Sequence, residues 1–205
     1  HARIDAVDLS AVRLVFSGGS NVDAALLQRL GERMPQATLM NLYGLTETSG
    51  AIVMTPWERS NADLMGTIGL PLDGARLKVA GAQGEAVPPG TVGELWFRGA
   101  GVVPGYIGAA AGQGFSADGW LQTGDLGTVD ARGVITLKGR AKDMYIQGGF
   151  NVYPAEVEAL IHRHPGVVMA AGIGVPDAVL GEVGRVYVIP KPGSNLREAD
   201  VRNWC

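Results

Sequence analysis

Two periodicities alternate along the chain. Asp8–Phe16 closes in a run of branched and aromatic residues that predicts a β-strand, and it leads into the glycine turn Ser17-Gly-Gly-Ser20. Asn21–Met34 then repeats its apolar residues at helical spacing, with Val22, Leu26, Leu27 and Leu30 on one side. Ala37–Tyr43 is a second predicted strand, and the polar cluster Gly44–Ser49 lies beyond its end. Strand, glycine turn and helix make an α/β unit, and ligands of parallel α/β sheets gather outside the carboxyl ends of the strands. Ser17–Ser20, Tyr43, Thr46 and Glu47 are therefore candidates to face one crevice. The alternatives for the same residues are a plain tight turn, a core tyrosine and a solvated carboxylate.

From Gly66 the pattern shortens to alternating strands divided by Gly and Pro. Arg76–Ala80, Gly93–Arg98, Gly127–Asp130 and Val134–Lys138 predict a small distorted β-barrel or sheet. The loop Pro104–Gly114, rich in small residues, reads as a mobile connection. After Lys142 the pattern changes again. A strand near Met144–Gln147, a helix over Ala155–Arg163 with Pro154 in its first turn, and strands at Val167–Val175 and Gly184–Ile189 predict a small α+β unit. A further helix starts near Asn195 or Leu196, with Glu198 as the capping-box partner of Asn195.

The joint between these patterns, Gly139–Glu156, is the segment densest in chemistry. Arg140 is a fixed cation able to fork onto vicinal hydroxyls or a phosphate, and Gly148-Gly149 lets backbone approach a ligand with no Cβ in the way. Lys142 and Asp143 are a charged pair that could equally be an exposed one of little energetic worth. Composition narrows the partners. With 46% hydrophobic and 18% charged residues the chain is globular, and Lys+Arg 17 against Asp+Glu 20 without a basic run argues against nucleic acid. No apolar run reaches the roughly 20 residues that span a bilayer, so the expected compartment is the cytoplasm. The single cysteine, Cys205, leaves no internal disulfide and no cysteine-based metal site. His162 and His164 have no carboxylate or cysteine at ligand spacing and read as solvated or capping; Trp57, Trp96 and Trp120 read as packing residues.

Three motifs, Asn41-Leu-Tyr-Gly-Leu-Thr-Glu-Thr-Ser-Gly50, Gly119-Trp-Leu-Gln-Thr-Gly-Asp125 and Gly139–Glu156, occur in that order and spacing. Together they resemble the adenylate-forming superfamily of acyl- and aryl-CoA synthetases, luciferases and peptide-synthetase adenylation domains, over nearly all of the chain. The resemblance implies an α/β plus α+β fold: residues 1–65 as an α/β piece of the large domain, 66–140 as its β-rich, barrel-like subdomain, and 141–205 as a truncated small domain. It also implies roles. Gly18, Gly19 and Tyr43 would line adenine, Thr46 would donate to a phosphate oxygen, and Glu47 would hold Mg²⁺, with Thr46 and Glu47 as the catalytic residues. Asp125 would accept hydrogen bonds from both ribose hydroxyls, with Arg140 supporting the same sugar. Lys142 would be the hinge of the small domain, Gly149 would lie beside the pantetheine channel, and Asn151 and Glu156 would organise the start of the following helix.

The implied activity is an ATP-dependent acyl-CoA ligase that takes a carboxylic acid, ATP and CoA and works through an acyl-adenylate. Tyr145–Glu156 looks most like the CoA ligases of fatty or aromatic acids, and Gly44, Ser49, Gly50 and Ala51 suit an apolar acid of moderate size. Two other readings are a nucleotide-binding or regulatory fragment without catalysis, and an acyl-AMP ligase delivering to a carrier protein. The chain opens on His1 and stops at Trp204-Cys205, so both ends read as cut. It lacks the upstream phosphate-binding loop and the C-terminal catalytic lysine of the family pattern, and these 205 residues alone are expected to be inactive.

Overall fold

The computed structural model describes residues 7–19, 24–58, 66–108 and 112–205. The helix start expected at Asn21 and Val22, Ser20, and the middle of the Pro104–Gly114 loop lie outside the described residues. The fold divides into two compact units, His1–Thr123 with Gly127–Leu137, and Gly124–Leu126 with Lys138–Cys205.

In the first unit β1 (Leu14–Gly18), α1 (Ala24–Arg33), β2 (Thr38–Leu45), β3 (Gly50–Met54) and β4 (Leu70–Pro71) build a sheet of order β1-β2-β3-β4. β1 and β2 are parallel, with Leu14 opposite Thr38 and Gly18 opposite Leu42, so the ends of both strands open on the same side. The helical spacing read from the sequence is what seats α1: Leu27 is buried against Leu39, with Val15 and Leu30 beside them. β3 was not apparent in the sequence, because Gly50-Ala-Ile-Val-Met54 is a short apolar run with no alternation.

β5 (Ala75–Ala80), β6 (Gly93–Gly99), β7 (Leu121–Val129) and β8 (Ile135–Arg140) form a second sheet of order β5-β6-β7-β8. Of the barrel or sheet expected, this is a sheet, and among the described residues it does not close into a barrel. The outer edge of β8 is engaged instead by Gly69, just before β4, through an antiparallel bridge at Ile135. Gly69 has φ +93°, and a Cβ there would run into the Met54 carbonyl, so only glycine can make this stitch. The core of the unit is Ile52, Val53, Val79, Leu95, Phe97 and Ile135, with Tyr43, Ile68 and Val102 packed on it. β7 runs from Leu121 through Asp125, and its inward positions Leu121, Thr123 and Asp125 are all buried. Trp96 is buried as expected, but Trp57 is 62% exposed and packs little.

The second unit contains β9 (Tyr145–Gln147), β10 (Phe150–Val152), α2 (Pro154–His162), β11 (Val167–Asp177), β12 (Gly181–Pro190) and α3 (Glu198–Trp204), with sheet order β10-β9-β12-β11. Pro154 occupies the first turn of α2, where its missing N–H costs nothing. The β11–β12 hairpin is longer than the sequence suggested, because the Asp177 carboxylate accepts from the amides of Val179 and Leu180 and closes a tight turn. Ile161, Val167 and Ala170 form the core with Val157, Val186, Val188, Leu196 and Val201. α3 starts later than expected: the Arg197 amide donates to the Asp200 carboxylate, displacing the Asn195–Glu198 capping box. Both histidines serve the backbone, His162 Nε2 accepting from the Ala170 amide and His164 Nδ1 from that of Gly166.

Candidate functional site

The first unit gathers one set of candidate residues at the ends of its two parallel strands. Gly18 and Gly19 have different reasons to be glycine. A Cβ on Gly18 would press against the Leu42 carbonyl oxygen across the strand pair, at 2.7 Å, whereas Gly19 adopts φ +82° with open space around it. Tyr43 is one residue beyond Leu42 on β2, half-buried, with its ring 6.0 Å from that of Phe97 and tilted by 37°. Tyr43 is thus in part a core residue, packed on the cluster that contains Phe97.

After Tyr43 the β2–β3 register slips, and Gly44 passes so close to Gly50 that no side chain would fit between them. A single 3₁₀ turn, Thr46–Thr48, follows. The buried Thr48 hydroxyl organises it, accepting from the Leu45 amide at 2.8 Å and lying 2.9 and 2.6 Å from the carbonyls of Leu45 and Gly50. Ser49 then takes a left-handed conformation, φ 55°. Thr46 is thereby left exposed and Glu47 half-buried. Glu47 is held twice from a distant loop: the Val103 amide donates to its carbonyl at 2.8 Å, and the Tyr106 hydroxyl donates to its carboxylate. Sequence reasoning missed Thr48 and Tyr106. Thr48 sits inside the quoted motif and could have been found as a local hydroxyl cap; nothing local points to Tyr106.

The second unit holds the other set. Asp125 is 8% exposed, and the Arg140 Nε donates to its Oδ1 at 2.7 Å. The Ala141 amide donates to the Gly124 carbonyl at 2.8 Å, tying the two segments together beside the pair. A carboxylate so placed takes a charge-assisted hydrogen bond from a fixed cation. Lys142 is exposed in the turn that follows, where the amides of Asp143 and Met144 both donate to the Arg140 carbonyl. Gly148 and Gly149 make the β9–β10 turn at φ 58° and 89°, and a Cβ on Gly149 would meet nothing. Glu156 accepts from Lys138 Nζ at 2.7 Å, a surface pair worth under about 1 kcal/mol. Burial, and then the charge of Glu182, pushes the Tyr145 phenol above its ordinary value, keeping it neutral in the β9 interior.

No group of three or more His, Cys, Asp or Glu side chains among the described residues could hold a metal ion by itself. Glu47, half-buried beside the exposed Thr46, fits a different type of site, in which a hard ion takes one protein carboxylate and completes its shell with phosphate oxygens and water. That donor set suits Mg²⁺.

Comparison with known proteins agrees with both units. The profile of AMP-binding enzymes matches residues 1–107, and that of the AMP-binding enzyme C-terminal domain matches residues 156–205. This chain belongs to the AMP-binding enzyme family. A methyl-dioxo-octahydro-indenyl-propanoyl:CoA ligase of Mycobacterium tuberculosis is 41% identical over 196 residues, 95% of this chain and 37% of that protein. Among solved structures, ATP-bound MatB from Rhodopseudomonas palustris superposes with a TM-score of 0.84 at 35% identity, covering 93% of this chain and 38% of that one. An amide bond synthetase from Marinactinospora thermotolerans superposes with a TM-score of 0.88 at 32% identity, covering 100% of this chain and 41% of that one. The chain thus spans about two-fifths of the length of the AMP-binding enzymes it matches. Among the described residues no helix is long and apolar enough to cross a membrane.

Proposed function

We propose that a protein carrying this chain is an AMP-forming acyl-CoA ligase. A substrate carboxylate oxygen attacks the α-phosphorus of ATP, the α–β phosphoanhydride bond breaks and pyrophosphate leaves; the CoA sulfur then attacks the acyl carbonyl and AMP departs. In this reading Tyr43, with Gly18 and Gly19, takes the adenine, Asp125 accepts from the ribose hydroxyls, and Arg140 keeps Asp125 oriented. Thr46 donates its hydroxyl to a phosphate oxygen. Mg²⁺, held by Glu47, would offset phosphate charge. Lys142 is the hinge position and Gly149 borders the pantetheine path. Residues 1–65 and 66–140 belong to the large domain and 141–205 to the small one.

The observation that carries the reading is the Asp125–Arg140 pair, a nearly buried carboxylate held at 2.7 Å by a half-exposed guanidinium within the AMP-binding family pattern. The acid itself is proposed to be apolar and of moderate size, fatty or aromatic, in keeping with the small residues Gly44, Ser49, Gly50 and Ala51 and with the ring-bearing acyl group named for the mycobacterial relative. A second acceptor class is favoured by one observation, the likeness to an amide bond synthetase, whose name specifies an amide product.

The test is thioester formation by the full-length protein with ATP, Mg²⁺, CoA and a panel of aliphatic and aromatic acids, beside Asp125→Ala. Acyl-CoA with wild type and at least a roughly 100-fold loss in the variant are expected, since a charge-assisted contact that strengthens in the transition state is removed. Acyl-AMP without thioester would transfer the reading to another acceptor, and no turnover of any acid would sink it. These 205 residues by themselves are proposed to be inactive. Their ATP–pyrophosphate exchange is expected to be undetectable.

A further inference from the structure

We propose that Tyr106 is a positioning residue that sets the orientation of the Glu47 carboxylate for a nucleotide-bound divalent cation. The inference rests on the ligase reading of Glu47 and deepens it. Glu47 lies on a three-residue turn with too few backbone hydrogen bonds to fix a side chain, and a glutamate has three rotatable bonds. What fixes it comes from a loop more than fifty residues away. The base of that loop is anchored: Val102 packs on the core that also holds Tyr43, and its amide donates to the Gly99 carbonyl at 3.1 Å. Gly101 passes beside the turn, where an added Cβ would lie 3.5 Å from the Thr48 carbonyl oxygen. Val103 then grips the Glu47 backbone carbonyl at 2.8 Å, and Tyr106 grips the carboxylate of the same residue.

One residue is thus held at main chain and side chain by a single short loop. The phenol donates to Oε1 and so restricts how the carboxylate turns, and Oε2 is the oxygen this proposal gives to the cation. A hard cation that brings its own phosphate and water ligands needs one such pre-aimed oxygen. Tyr106 is itself about half exposed, so the ring is not there to fill a core, and the hydroxyl contact is its distinguishing interaction.

Equilibrium binding separates this role from a structural one. The full-length protein, Tyr106→Phe, Glu47→Gln and the double variant are titrated with MgATP and, in chelator, with metal-free AMP. Tyr106→Phe should weaken MgATP binding about 3- to 10-fold, the loss of one partly solvated charge-assisted hydrogen bond, and leave AMP unchanged. The double variant should bind MgATP no more weakly than Glu47→Gln alone. Equal losses for both ligands would show a packing role and overturn the proposal, as would unchanged or tighter MgATP binding, or additive losses in the double variant. Tyr106→Leu, with the ring also removed, should reproduce the MgATP-specific loss; a loss confined to Leu would equally overturn it. If Glu47→Gln binds MgATP like wild type, the ligase reading of Glu47 is what has failed; an impaired Glu47→Gln beside a neutral Tyr106→Phe refutes only the role of Tyr106.

Discussion

The least conspicuous residue of the Asn41–Gly50 motif is the one that shapes it. Thr46 and Glu47 carry the chemistry proposed for the turn, yet Thr48, buried and bonded to both strands that flank it, decides where they point. Thr48→Val keeps the shape and removes the hydroxyl, stranding the Leu45 amide in a buried position. A stability loss of about 1–3 kcal/mol in urea is expected. MgATP affinity should fall with it, because the turn no longer presents Glu47. A variant equal to wild type in both measurements would show that the hydroxyl contacts are dispensable. The same residue shows the limit of local reading: its contact with Leu45 is a local cap, but that the hydroxyl also meets β3 through the Gly50 carbonyl is recognisable only once β2 and β3 are known to pair.

At the level of elements, helix ends and hairpin turns were less legible than helix and strand interiors. The α2 start was readable because proline fixes the first turn by its own geometry. The α3 start was not: the sequence pointed to Asn195 or Leu196, and the cap is instead closed by Asp200, which accepts from the Arg197 amide at 2.9 Å and the Arg197 guanidinium at 3.0 Å. Asp200→Ala should fray the start of α3. Amide exchange at Arg197–Asp200 should rise by several fold while the β11–β12 hairpin keeps its protection. Unchanged exchange there would place the cap on another residue. For β11 and β12, branched residues announced the strands, but their full length depended on the Asp177 turn that lets the ladder run from Val167 opposite Pro190 to Asp177 opposite Gly181.

Across the whole molecule, aspartates at turns make a common acid-sensitive feature of both units. The Ser10 amide holds the Asp8 carboxyl below its ordinary value, the Ser116 hydroxyl does so for Asp118, and the Val134 amide for Asp130; in the second unit the Leu180 amide and the Arg197 side chain do the same for Asp177 and Asp200. Each is an acid with a folded-state value below its unfolded one. The stability it contributes is therefore complete above the unfolded value and is lost as pH falls through the folded one. The melting temperature should be flat near neutrality and decline below about pH 4. Asp130→Asn should flatten that decline for the first unit and Asp177→Asn for the second, by separate probes. A decline of the same steepness in both variants would assign acid sensitivity to other groups.

What the sequence determined by itself was local: the period of each element, the glycine and proline punctuation, and three motifs whose order implied an adenylate-forming enzyme before any coordinate was known. Periodicity acts over a few residues, so it reports strands and helices and not their neighbours. Only the tertiary structure decided that the β-rich segment stays open, since β8 meets Gly69 where closure would have needed β5. It also placed Asp125 on the buried side of β7, where it meets Arg140 at 2.7 Å. Tyr106 reaches Glu47 across 59 positions of sequence, a contact that no local pattern encodes. Long-range pairing is fixed by which surfaces bury one another, and that is a property of the assembled chain.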